Sequence, residues 1–268
     1  MARVVPLPRP WLWLCSALVA VLAALLAVSI VRNPNIQHGV VAQYQFAPAI
    51  LRGLRTTIVL ALAAAAIGAV LGVLLALMRT SSRAVLRLAS ALYTWLLRGT
   101  PLLVQILVWG NLALLFEHLG PFRTNDVMTP FVASVIALGL NEGAYMAEIV
   151  RAGIIGVDRG QHDAALALGM SRLLAMRRII LPQALRVIVP PAGNQFISLL
   201  KATSLVSVIA GGDLLTAAEN IASANLHTIE LMLVATFWYL VLTTITSVAQ
   251  HFAERRLARG MLGVHGVR

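Results

Sequence analysis

Charged side chains are scarce in this chain of 268 residues: 12% are Asp, Glu, Lys or Arg, whereas 59% are hydrophobic. A soluble domain commonly carries about 25% charged residues, so too few polar groups are present to cover a water-facing surface. Acidic residues number 10 against 21 basic ones, which gives a net charge of +11. The arginines occur in short clusters between long apolar runs, which is how positive charge sets membrane topology. We therefore expect a membrane protein that does not bind nucleic acid.

The residues that build common catalytic and metal sites are also scarce. The single cysteine, Cys15, lies in the first apolar run and forms no disulfide or metal-binding pattern. The six histidines lie at predicted helix ends or in loops. The chain has no Gly-rich loop ending in Gly-Lys-Ser/Thr, so it is not expected to hydrolyse ATP itself. We expect no catalytic residue, no metal and no cofactor.

Six apolar runs are long enough to cross a bilayer core, which takes roughly 20 helical residues. They cover about residues 11–31, 56–78, 86–116, 130–153, 187–210 and 229–250. The third run is interrupted at residues 98–101, where Pro101 removes a backbone donor, so a kink or break is predicted there. The first run could instead be a cleaved signal peptide. It is longer than the roughly 7–15 apolar residues typical of one, which favours a retained helix.

Basic residues are distributed unevenly between the two sides of the predicted membrane. If the N-terminus is cytoplasmic, the cytoplasmic segments hold 15 arginines and the outside segments hold 4. This bias predicts that both termini are cytoplasmic. The expected organisation is an N-terminal anchor helix with an external linker at 1–50, a membrane domain at 51–254, and a basic cytoplasmic tail at 255–268.

The longest cytoplasmic connection, about residues 156–186, carries helix signals of its own. Asp158 is a good N-cap, and Gln161 three residues later resembles a reciprocal capping pair. Gly169 fits the left-handed position that ends a helix, and Pro182 is expected to stop the next one. Two short helices meeting at Gly169 are therefore predicted. Small side chains leave the first of them thin, so it can enter a groove on another protein or pack on its own bundle.

Four stretches of the sequence carry a family resemblance. They are residues 98–105, 143–151, 160–169 followed by 179–186, and 199–205. The third resembles the "EAA" loop of bacterial ABC-importer permeases, and the other three resemble the polar amino acid branch of that family. The resemblance covers about residues 51–254 and implies a five-helix permease core, to which the helix at 11–31 is an N-terminal addition. One departure is Asp163, where the family usually has glutamate.

The resemblance also implies partners and a mechanism. Two permease subunits, identical or related, would line a path for an amino acid in the bacterial inner membrane. Two ABC ATPase subunits would bind on the cytoplasmic side, and an extracytoplasmic binding protein would deliver the substrate. The loop at 158–182 would enter an ATPase cleft. Its positions that match the family motif are Gly160, Gln161, Asp163, Ala164, Ala165, Gly169, Leu181 and Pro182.

Ionisable side chains inside the predicted spans are candidates for the path, because such groups usually face a cavity or a partner. Glu142 and Lys201 are predicted at similar depth and could pair directly, and Glu148 could pair with Arg151. Either these are structural ion pairs, or Glu142 or Lys201 faces a path and meets the substrate. Asparagines could add hydrogen bonds, although one of them could equally satisfy backbone groups freed by prolines. The candidate residues are Asn141, Glu142, Glu148, Asn194 and Lys201.

Two other function classes fit the sequence less well. An ion-coupled secondary transporter would use the internal carboxylates, but no inverted repeat with paired broken helices is visible. A membrane-embedded enzyme would need a His-rich metal set, paired aspartates or a Gly-x-Ser-x-Gly motif, and the predicted spans contain none. The sequence therefore favours an importer permease, without naming its amino acid.

Overall fold

The structure is a computed structural model that describes residues 10–258, and its regular structure is nearly all helical. The twelve α-helices of this region are α1 (Pro10–Val31), α2 (His38–Tyr44), α3 (Pro48–Thr80), α4 (Ala84–Gly99), α5 (Leu102–Gly110), α6 (Thr124–Val127), α7 (Pro130–Ile155), α8 (Arg159–Ala167), α9 (Arg172–Ala175), α10 (Leu181–Ala202), α11 (Leu214–Asn225) and α12 (Thr228–Ala258). Short 3₁₀-helices cover Leu112–Leu114 and Thr203–Ile209, and a π-helix covers Met176–Ile180. A small antiparallel hairpin pairs β1 (His118–Leu119) with β2 (Phe122–Arg123).

Within the part of the chain that the structure describes, two helices, α3 and α12, are individually long and apolar enough to cross a membrane. Two bent units also meet this criterion, namely α4 with α5 and the helical stretch Arg172–Ile209 with α11, which bend by 98° and 43°. The first bend lies at Thr100 and Pro101, so the break predicted in the third apolar run is confirmed. The membrane helices are thus present, whereas the number of six crossings stays a prediction.

The expectation that Pro182 stops a helix is wrong. The chain passes from α9 through the π-helix Met176–Ile180 directly into α10, and Pro182 occupies the first turn of α10. Proline is tolerated in the first turn of α10. The preceding π-helix is a widened turn that shifts the hydrogen-bonding pattern, so the backbone N–H that proline lacks is not needed there. The segment 156–186 is therefore joined to α10 by continuous helix.

Three helices were not anticipated from the sequence: α2 in the predicted linker, α6 in the predicted loop before α7, and α11 before the last predicted span. The N-cap of α11 is Asp213, whose carboxylate accepts hydrogen bonds from the backbone N–H groups of Leu215 and Thr216. At the C-terminus, α12 runs beyond the predicted span as far as Ala258. The rest of the predicted basic tail, residues 259–268, lies outside the described residues.

The centre of the fold is the close packing of α3 against α7, which run in the same direction. Glycines make this approach possible: a Cβ added at Gly68 would lie 2.4 Å from Cγ of Glu142, and one added at Gly72 would lie 2.4 Å from Cβ of Met146. Small residues at helix contacts allow such close approach inside membranes. Because α7 leads into the segment 156–186, the Pro48 end of α3 lies at the end of the bundle opposite that segment.

Three buried clusters connect the remaining helices to this pair. One joins the start of α3 to α11 and α12 around Ile50 and Leu231. The second joins α3, α5, α7 and α10 around Leu60 and Leu138. The third, with Ala76 and Ile188, joins α3, α7 and α10 near the segment 156–186. The 3₁₀-helix that follows α10 contributes Val206 to the second cluster.

Candidate functional site

Two side-chain amides donate hydrogen bonds to backbone carbonyl groups at the break between α4 and α5. Nε2 of Gln105 donates to the Leu97 and Thr100 carbonyl oxygens at 2.8 and 3.1 Å. Nδ2 of Asn141 on α7 donates to the same Leu97 oxygen at 3.0 Å and to Oε1 of Gln105 at 3.2 Å. These bonds satisfy backbone groups that the proline leaves free. The sequence candidate Asn141 therefore stabilises the break beside the site.

A cavity of about 260 Å³ lies between this break, α7 and α10. Glu142 lies in its wall, is 4% exposed, and accepts a hydrogen bond from Nε2 of Gln195 at 2.9 Å. Thr100, Asn141, Tyr145 and Ser198 complete the polar lining, so the sequence candidate Asn141 also lies in this cavity wall. Among the described lining residues none is basic, so the carboxyl group of Glu142 has no neutralising cation there. Its surroundings suit a positively charged or hydrogen-bond-donating ligand group.

A second cavity, of about 380 Å³, lies on the other side of Tyr145. Its lining includes Arg79, Thr94 and Arg98, and no acidic residue is found among the lining residues the structure describes. The guanidinium of Arg98 lies over the Tyr145 ring, with its central carbon 5.2 Å from the ring centroid. A carboxylate-poor cavity with two arginines suits an anionic group. Tyr145 thus lies in the walls of both an acidic cavity and a basic one.

The direct pairing of Glu142 with Lys201 is not found. Lys201 lines a separate cavity of about 290 Å³ together with Ser204, Thr236 and Tyr239, whereas Gln195 of the same helix faces Glu142. The two α10 residues are six positions apart, which places them about 120° apart around a helix with 3.6 residues per turn. Equal depth of Glu142 and Lys201 in the membrane does not ensure that they pair, because depth does not determine which face of its helix a residue occupies.

The other two candidates lie away from the Glu142 cavity. Glu148 pairs with Arg151 at 2.7 Å, as the sequence suggested for a structural ion pair. Asn194 accepts a hydrogen bond from Nε2 of Gln250 at 3.1 Å, and the same group donates to the Pro190 carbonyl oxygen at 3.2 Å. Gln250 of α12 thus satisfies the Pro190 carbonyl oxygen, and Asn194 helps to orient the Gln250 amide.

In the segment 156–186, two helices meet at Gly169 as predicted, but only α8 is a separate short helix, because α9 continues through the π-helix into α10. Oδ1 of Asp158 caps α8 by accepting from the Gly160 N–H at 2.6 Å. The turn after α8 has Gly169 at φ +75°, the left-handed conformation that ends helices. The side chain of Gln161 does not cap the helix. Its Oε1 accepts from Nε2 of Gln183 at 3.4 Å, which connects α8 to α10.

The turn between α8 and α9 presents an unusual apolar surface outside the membrane helices. Leu168 is 83% exposed and Leu173 is 79% exposed, one on each side of Gly169. Ala164 and Asp163 are also exposed, whereas Ala165 is buried against the protein. Large exposed apolar groups of this kind commonly mark a protein contact surface.

Among the residues of the site that were not identified as candidates from the sequence, the most important are Arg98, Tyr145 and Gln195. Arg98 and Tyr145 fall within motifs, but their roles could not be assigned without knowing how α4 bends against α7. Gln195 had a visible signal, because it is polar in a largely apolar stretch and lies three residues before Ser198 on one helix face.

Comparison with known proteins decides the family. The sequence profile described as "Binding-protein-dependent transport system inner membrane component" matches residues 68–259, more than half of the chain. The chain belongs to this family. It is 41% identical to the arginine transport system permease protein ArgU of Corynebacterium glutamicum, over 95% of this chain and 83% of that protein. It is also 39% identical to the L-cystine transport system permease protein TcyB of Bacillus subtilis, over 81% of this chain and 90% of that protein.

Solved structures agree with these relatives. The crystal structure of an amino acid ABC transporter with histidines superposes with a TM-score of 0.72 at 39% identity, covering 80% of this chain and 97% of that chain. An inward-facing MetNI methionine ABC transporter has the same fold, with a TM-score of 0.59 at 17% identity and coverage of 81% and 97%. The importer-permease fold and the function of a permease component for amino acid transport are thereby confirmed.

Proposed function

We propose that this permease carries its amino acid through the region around Tyr145, where the acidic and basic cavities meet. A free amino acid is a zwitterion. Its cationic end fits beside Glu142, which has no basic neighbour among the described lining residues, and its carboxylate fits beside Arg98. The observation that carries this proposal is the position of one tyrosine in the walls of both cavities.

We infer that the substrate is a basic amino acid, with arginine the first to test. Burial of Glu142 favours a permanent cation, because a carboxylate away from water is stabilised mainly by a close opposite charge. The arginine permease among the relatives, 41% identical, points the same way. In arginine, the guanidinium rather than the α-ammonium would lie beside Glu142, because a guanidinium matches a carboxylate in a planar, two-bonded geometry, and this contact would distinguish arginine from smaller amino acids.

We propose that the segment 158–182 couples this path to a separate ATPase. Leu168 and Leu173 would fill an apolar cleft on that subunit, and the exposed Asp163 would lie at the edge of the contact. The continuous helix from α9 into α10 would transmit the movement, because Gln195 and Ser198 on α10 line the Glu142 cavity. ATP hydrolysis would take place on two ATPase subunits bound from the cytoplasm, the side on which both termini of this chain are expected.

The remaining partners follow from the same proposal. A second permease subunit, identical or related, would complete the path, and an extracytoplasmic binding protein would deliver the amino acid in the inner membrane. Lys201, which lies in a cavity apart from Glu142, is assigned no substrate contact. The anchor role of α1 likewise stays a proposal, together with the domain limits 1–50, 51–254 and 255–268.

The experiment compares Glu142→Gln with Glu148→Gln in transporter reconstituted with its ATPase and binding protein. Both variants remove one carboxylate from α7, but only Glu142 lines the cavity. We expect arginine uptake to fall by about tenfold or more in Glu142→Gln, because a charge-assisted hydrogen bond is lost. Uptake in Glu148→Gln should stay close to wild type. Equal uptake in wild type and Glu142→Gln, with both complexes assembled, would remove Glu142 from the path.

A further inference from the structure

A cavity of about 520 Å³ lies where α2, the first turns of α3 and α11 meet. It is at the Pro48 end of α3, and therefore at the end of the bundle opposite the segment 158–182. None of the residues assigned to transport above lines it. Its polar wall is formed by Tyr44, Arg52, Thr216, Asn220 and Asn225.

The polar wall of this cavity is rich in unused hydrogen-bond donors. The Arg52 guanidinium makes no ion pair with any described residue. Nδ2 of Asn225 is buried without a hydrogen-bond partner. The orientation of that amide is fixed, because its Oδ1 accepts from the His227 N–H at 3.0 Å. A buried donor left unpaired costs free energy, so the wall lacks an acceptor that a ligand could supply.

No acidic side chain of the described region lines the cavity to neutralise Arg52. Two carboxylates adjoin wall residues in the sequence. Glu219, next to Asn220, does not line the cavity. Asp213, next to Gly212, is 0% exposed and is occupied by capping α11 and by a hydrogen bond from the Thr216 hydroxyl. The cavity is therefore electropositive, and an anion fits it better than a cation or an apolar molecule.

We propose that this cavity binds the phosphate of an anionic phospholipid headgroup. Arg52 would hold two phosphate oxygens, a geometry that suits a guanidinium, and Asn225 would donate its unpaired N–H to a third. A single phosphate ion offers the same chemistry, but the cavity is larger than that ion requires, and a headgroup fills more of it.

The surroundings of the cavity match the interface of a bilayer. Phe46 is 65% exposed and packs edge-on against Trp238, with 5.7 Å between ring centroids. Aromatic side chains concentrate at the depth of lipid headgroups. From there, Leu51, Ile58 and Leu62 form an exposed apolar row along α3, where the acyl chains would lie.

The test uses native mass spectrometry of the purified full-length chain, titrated with phosphatidylglycerol or with phosphatidylcholine of the same acyl chains. We expect tighter binding of phosphatidylglycerol, and about tenfold weaker binding in Arg52→Gln, because one charge-assisted contact is lost. Asn225→Asp keeps the oxygen that accepts from His227 but replaces the donor by a negative charge, and should weaken binding similarly. Arg55→Gln is the matched control, since Arg55 lies on the same helix outside the cavity wall.

Two results would overturn the proposal. Equal binding of phosphatidylglycerol by Arg52→Gln and Arg55→Gln, with both variants as thermally stable as wild type, would show that the cavity does not hold the headgroup. Displacement of the lipid by excess inorganic phosphate, with the same dependence on Arg52, would identify a soluble anion as the ligand. Insensitivity to inorganic phosphate supports the lipid.

Discussion

Replacing Gly72 by alanine tests the contact on which the site is built, the packing of α3 against α7. The added Cβ would lie 2.4 Å from Cβ of Met146, 2.9 Å from the Met146 carbonyl carbon and 3.1 Å from the Ala147 nitrogen. Two of these three atoms are backbone, so no side-chain rotation can relieve the contact. The helices must separate instead, which for overpacked sites typically costs about 1–3 kcal/mol.

The cost should appear as a lower melting temperature. A loss of 1 kcal/mol lowers the Tm of a protein of about 150–250 residues by roughly 2–4 °C, so the expected decrease is about 2–12 °C. The assay is thermal unfolding of the purified full-length chain in detergent, followed by intrinsic fluorescence. Gly39→Ala is the control, because a Cβ at Gly39 in α2 would meet nothing within 4 Å. Unchanged melting of Gly72→Ala would refute the close packing of α3 and α7.

Two further substitutions address other parts of the structure. Thr57→Val should lower stability by about 1–3 kcal/mol, because the buried Thr57 hydroxyl accepts from the Leu214 N–H at 3.0 Å, and Thr57→Ser should restore most of the loss in the same unfolding assay. Gly169→Ala should reduce ATP-driven uptake without preventing membrane insertion, because φ +75° at this turn is unfavourable for alanine by about 1–2 kcal/mol. Gly169→Asn, which tolerates this conformation better, should lose less; equal activity of all three proteins would show that the turn geometry is unimportant.

The sequence predicted those parts of the fold that depend on local chemistry. Asp158 and Gly169 have unambiguous preferences for a helix start and a left-handed helix end, and both occupy the predicted positions. Pro101 likewise marks the break between α4 and α5. The predicted helix end at Pro182 is wrong, because a proline is compatible with the first turn of a helix as well as with its end. Only the hydrogen bonding of the preceding π-helix decides between the two.

The candidate site depended on information that the sequence does not contain. Depth along a helix follows from counting residues, which made Lys201 a plausible partner for Glu142. The facing direction depends on how α10 packs, and the structure places Gln195 there. The bend of 98° between α4 and α5 could be located but not sized from the sequence, so the position of Arg98 over Tyr145 was not foreseeable.

The proposed ATP-driven import is tested most directly by measuring which energy source drives arginine uptake by the complete transporter in proteoliposomes. We expect uptake that requires ATP and the binding protein and that persists when ion gradients are dissipated. Uptake should be lost when Ala164, on the exposed face of α8, is replaced by a bulky charged residue. Uptake driven by an ion gradient without ATP would contradict this proposal, and would instead make Glu142 the coupling carboxylate of a secondary transporter.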